Sequence, residues 1–157
     1  MEDLYLKIAR RIRETVPEID HIDEDTGQLY PVQYDDRYEY PILFPCLLID
    51  ASTIDWKDEK TVGQQRGTAT VILRLAFRVD EDTHFEPSSF NDFEQLRRRK
   101  DIESQVVGAL HCFCFGKNMS AMYRTQSRSY SQPGRVRVYE STFRVNVTDR
   151  LLEIGEE

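Results

Sequence analysis

Apolar and polar positions alternate most regularly over residues 68–79, TATVILRLAFRV. Ala69, Val71, Leu73, Leu75, Phe77 and Val79 share one parity, and Thr68, Thr70, Ile72, Arg74, Ala76 and Arg78 share the other. That pattern predicts a strand with one buried face. Strands usually run ~5–6 residues, whereas a dozen at ~3.3 Å each reach roughly 40 Å, longer than a small core needs. The second face mixes Ile72 and Ala76 with two arginines, which suits a surface covered by a helix or a neighbouring subunit.

Around this strand the pattern predicts the other elements in turn. Leu4, Tyr5, Ile8, Ala9, Ile12 and Val16 fall at helical spacing, and Pro17 ends that helix. Residues 19–30 read as a short hairpin or irregular arm about a turn at 23–27. Residues 31–41, with two prolines and three tyrosines among acids, read as an extended loop. Residues 42–50 (ILFPCLLID) predict the first core strand, and Pro45 confines it to an edge, a bulge or a strand start. Residues 51–66 read as a polar connection carrying the single tryptophan, Trp56.

After a polar loop at 80–89, Ser88 or Ser89 is placed to cap a second helix over 90–113. Its apolar positions are Phe90, Phe93, Leu96, Ile102, Val106, Ala109, Leu110 and Phe113, with Gly116 as terminator. Two strands, 119–130 and 136–147, flank the turn residues Gln132-Pro133-Gly134. Val136 and Val138 lie on one parity and Phe143, Val145 and Val147 on the other, so a bulge near Tyr139–Glu140 is expected. From Asp149 the tail is expected to fray. The order helix, strand, strand, helix, strand, strand places the chain in the α+β class. The expectation is one domain over 1–157 with four main antiparallel strands, two helices on one face and an extended acidic arm at 18–41.

Length and composition narrow the setting. The chain has 157 residues, enough to bury a core without staples. Its longest apolar run is far short of the ~20 residues of a membrane helix. The charged N-terminal stretch lacks the apolar centre of a signal peptide, and three cysteines without framework spacing fit a reducing compartment, so a cytoplasmic location is expected. The net charge is −7, but unevenly spread. Residues 18–60 hold twelve Asp/Glu against three Lys/Arg, and residues 97–150 hold eleven Lys/Arg against four Asp/Glu. Either these regions neutralise each other within one subunit, or the acidic flank of one copy docks on the basic flank of the next, a contact that generates rings.

No catalytic constellation emerges, and a non-enzymatic protein without cofactor or metal is expected. Asp25-Thr26-Gly27 matches the short aspartic-protease signature but follows Asp23-Glu24 rather than an apolar strand, so it reads as a turn. The same run misplaces the glycine of a calcium loop and has Tyr34 where the closing carboxylate belongs. His111, Cys112 and Cys114 have zinc-ligand chemistry, yet the other candidates, Cys46, His21 and His84, are isolated. A basic and aromatic set, Arg97–Lys100 with Tyr123, Arg124, Arg128 and Tyr130, raises a nucleic-acid-binding adaptor as the alternative. The acidic balance and the lack of a recognition module favour a solvated or subunit-facing role for it.

Val16-Pro17-Glu18-Ile19, Ile22-Asp23, Gly27-Gln28-Leu29, the stretch Phe44-Pro45-Cys46-Leu47-Leu48-Ile49-Asp50, Ile54-Asp55-Trp56 and Gln65 before the long strand together resemble the phage and prophage tail terminator (tail completion, minor tail) family. The resemblance implies a ring, usually of six subunits, at the head-proximal end of a tail tube. Its partners would be the major tail tube protein and a head–tail connector or neck protein, and its final location the virion tail. A neck protein is the sibling reading. The family has no catalytic residues to carry over. Combined with the charge pattern, the candidate subunit interface comprises Arg74, Arg78, Arg97, Arg98, Arg99 and Lys100 on the basic side and Asp35, Asp36 and Glu39 on the acidic side.

Overall fold

The alternating stretch forms the middle of a five-stranded sheet with two helices against one face. The structure, a computed structural model, describes residues 3–34, 37–58, 63–80 and 93–150. Helix α1 spans Leu4–Thr15, with Asp3 accepting a hydrogen bond from the Leu6 amide at 3.3 Å as its N-cap. Then come β1 (His21–Glu24), β2 (Val32–Tyr34), β3 (Arg37–Glu39), β4 (Cys46–Asp58) and β5 (Gln64–Arg78). Helix α2 (Glu94–Leu110), β6 (Tyr123–Gln132) and β7 (Val136–Arg150) complete the chain. The α+β class holds. The main sheet runs β1-β4-β5-β7-β6, antiparallel except for the parallel β1–β4 pair, and β2 and β3 form a separate hairpin.

The helix-facing core lies where the alternation places it. Ala69, Val71, Leu73, Leu75 and Phe77 on β5 pack with Leu47 and Ile49 of β4 and Phe143, Val145 and Val147 of β7. Leu4, Ile8 and Ile12 of α1 and Ile102, Val106 and Leu110 of α2 cover them. The two helices are also tied directly, since the Arg11 side chain donates to the Ala109 carbonyl at 2.8 Å.

Several boundaries differ from the sequence expectation. The first core strand runs on to Asp58, and β5 begins at Gln64, so most of the polar connection at 51–66 is strand. Gly67 sits opposite Trp56, and an added Cβ there would lie 2.7 Å from the indole. The indole therefore lies over a bare backbone within the β4–β5 ladder. Helix α2 starts later and ends earlier than 90–113. Phe93 precedes it in the left-handed region, and beyond the His111 cap Cys112 takes the left-handed conformation (φ 64°) expected of Gly116. The proposed serine caps lie outside the described residues.

No bulge occurs at Tyr139–Glu140. β5 and β7 stay in continuous register from Gln64↔Arg150 to Arg78↔Val136. The change of parity along β7 arises because the strand serves two cores. Tyr139, Phe143, Val145 and Val147 face the helices, while Val136 and Val138 join Leu29, Cys46, Leu48 and Ala76 on the opposite face. That second core is roofed by Tyr40, Ile42 and Phe44. The segment expected as an extended arm thus adds β1 to the sheet edge and folds over the second face near the Arg78 end, where the Tyr40 hydroxyl donates to the Pro133 carbonyl. Register shifts do occur, between Asp50 and Thr53 of β4 and between Arg124 and Gln126 of β6.

Candidate functional site

The expected interface residues fall into two groups, one midway along the sheet and one at the end of β5 beside the start of α2. Arg74 points to the second face, midway along β5, and is engaged within the subunit: its Nε donates to Glu140 at 2.9 Å and its Nη1 to Asp25. Arg128, across β7, donates to the other Glu140 oxygen. Glu140 is buried, and burial alone raises a carboxyl pKa; here the hydrogen bond from Arg128 and the Arg74 charge outweigh it and hold the group below its usual range. Asp25 reaches Arg74 from the turn whose Gly27 amide it also caps at 3.1 Å, with Gly27 at φ 92°. The Asp-Thr-Gly run is therefore a turn that supplies one member of an ion-pair network.

The second group gathers where β5 ends, β7 begins and α2 starts. Arg78, Arg98 and Arg99 line one hollow of about 570 Å³ together with Ile42, Leu43, Phe44 and Phe77. Arg99, Lys100, Arg135 and Arg137 line an adjoining one of about 400 Å³. Arg78 stacks on Phe44, 5.2 Å from the ring centroid, and Lys100 sits 4.6 Å from that of Tyr139. Arg97, Arg98 and Lys100 are exposed, whereas Arg99 is only 7% exposed and donates through Nε to the Tyr139 hydroxyl at 3.3 Å. The four-residue basic run is thus three surface cations around one interior cation. Its helical period decides this, and the sequence carries a signal for it: Arg99 stands three residues before Ile102 and seven before Val106, both buried.

A hollow of about 430 Å³ at the β1–β4 edge carries the opposite charge. Asp3, Glu24, Asp25 and Asp50 line it with Leu4, Tyr5 and Ile54. Of the acidic residues named from sequence, Glu39 is exposed on the small β2–β3 hairpin, and Asp35 and Asp36 lie outside the described residues. The acidic groove was missed because its members come from α1, β1 and β4, three segments that only the fold brings together.

The basic and aromatic set does not form one surface. Arg128 and Tyr130 lie on the second face with Glu140, while Arg97–Lys100 ride on α2 across the sheet. His111, Cys112 and Cys114 cluster after α2 in structural contacts: His111 Nδ1 accepts from the Arg124 amide at 3.1 Å, and Cys114 donates to the Met119 carbonyl at 3.1 Å. Among the described residues no three His, Cys, Asp or Glu side chains converge as a metal site requires. Cys46 lies elsewhere, in the second core, where burial pushes its thiol up to about 12. Among the described residues no helix is long and apolar enough to cross a membrane.

No family model matches the sequence, and neither does any curated protein. The fold is similar to that of a chain from the virion of a native gene transfer agent particle, with a TM-score of 0.51 and 9% identity over 92% of this chain and 94% of that one.

Proposed function

We propose that this protein is a structural, non-enzymatic component of a phage-like virion, a subunit of a ring at the head-proximal end of a tail tube that stops tube growth and joins tail to head. The observation that carries the reading is the end-to-end likeness of fold to a chain of the gene transfer agent virion. The grooves of opposite sign add to it, because a ring needs two different, complementary patches on each subunit. The major tail tube protein and a neck protein are the partners this reading calls for. The nucleic-acid reading draws no support from the geometry, since its cations are divided between the two faces of the sheet.

The test is the mass of the purified protein in solution with negative-stain imaging of tails to which it is added. A ring-sized species, hexameric if the family resemblance holds, and density at one tail end are expected. A protein that stays monomeric at high concentration and never localises to a tail end would overturn the proposal.

A further inference from the structure

We propose that the groove walled by Arg99 is a carboxylate-binding site whose occupant is the acidic groove of a second copy of this chain; the inference rests on the ring reading and names its contact.

Arg99 is more than nine-tenths buried, yet its Nη1 has no hydrogen-bond partner. A guanidinium offers five N–H donors, and a buried donor left unmade is costly enough to be rare. Arg99 lines both hollows at this end of the molecule and so stands between them. Arg98 and Arg78 stand beside it in the larger hollow, outnumbering the one carboxylate there, Asp80, over an apolar floor on which Leu43 is 68% exposed. An interior cation with an unused donor, flanked by surface cations and bare hydrocarbon, matches a carboxylate carried on a partly apolar surface.

The chain supplies such a surface. Glu24 and Asp50 open on the β1–β4 edge beside Leu4 and Ile54. The negative potential there is felt by Tyr5, whose hydroxyl pKa is raised by burial and then by Asp23, Glu24 and Asp3. The two grooves of one subunit are held apart. Asp50 pairs with Ile72, six residues along β5 from Arg78, a spacing of about 20 Å along the strand. Contact between them therefore joins two copies, and because the patches differ it is heterologous, the kind of contact a ring is built from.

Two variants test this, each removing two charges from one groove with uncharged polar side chains: Arg78→Gln with Arg98→Gln, and Glu24→Gln with Asp50→Asn. The wild type is expected to assemble, each variant alone to be monomeric with an unchanged far-ultraviolet spectrum, and an equimolar mixture to give 1:1 dimers by light scattering, since one intact patch remains on each partner. Adding Arg99→Met to the acid-neutralised chain, which still carries the basic groove, should weaken that dimer at least tenfold while its melting temperature stays within a few degrees of its parent. Assembly of either variant like the wild type, a mixture that remains monomeric, or a dimer indifferent to Arg99→Met would overturn the contact and leave the ring reading standing. A monomeric wild type at all concentrations would instead overturn the ring reading itself.

Discussion

Glu140 shows how a single residue sets a condition on stability. Its carboxylate serves two arginines from a buried position, and its folded-state pKa lies below the ordinary 4.5. A depressed folded pKa contributes stability above the unfolded value and loses it as pH falls through the folded one. Stability should therefore drop on acidification below about pH 4.5, and Glu140→Gln should flatten that part of the profile. At pH 7 the variant should be less stable by about 1–3 kcal/mol, in the range of hydrogen bonds to charged groups, because Arg74 and Arg128 remain partly solvated. Urea melts from pH 3 to 7 measure both effects.

Gly67 is a second residue with a checkable role. A methyl group there meets Trp56 at 2.7 Å and Ile54 at 2.8 Å. Gly67→Ala should cost about 1–3 kcal/mol through overpacking. Because Trp56 is the single tryptophan, its displacement should be visible as a shift in emission.

The elements divide the labour between two faces. Leu75 is 2% exposed beneath the helices, so Leu75→Asp should leave no cooperative thermal transition, a charge without a partner being intolerable there. Helix α2 carries the contrast most sharply. Arg97→Glu changes an exposed position and should alter stability by no more than about 0.5 kcal/mol. Arg99→Glu places a carboxylate against the Tyr139 side of the sheet and should cost several times as much in the same chemical denaturation experiment. Two neighbouring cations of one run thus part company because only one of them faces the sheet.

For the whole molecule, the distribution of charge predicts behaviour that net charge alone does not. An acidic protein of net charge −7 would ordinarily self-repel less as salt rises. If opposed grooves hold copies together, assembly should instead weaken with salt. Light scattering between about 50 and 500 mM salt distinguishes the two trends, spanning Debye lengths from longer than the contact to shorter.

The sequence by itself determined which side of β5 and of α1 faces the core. The alternation in β5, the stripe of α1 and the Pro-Gly turn between β6 and β7 are local patterns, and a residue's parity or helical phase is set by its immediate neighbours. Only the tertiary structure decided what covers the second face of the sheet, and with it the roles of Arg74, Glu140 and the 29–44 segment. The parity change in β7 reads equally as a bulge or as a strand shared between two cores, and the choice depends on a segment nearly a hundred residues away. The grooves follow the same rule. Each collects side chains from three or more elements, so their charge pairing exists only once long-range strand order has placed those elements side by side.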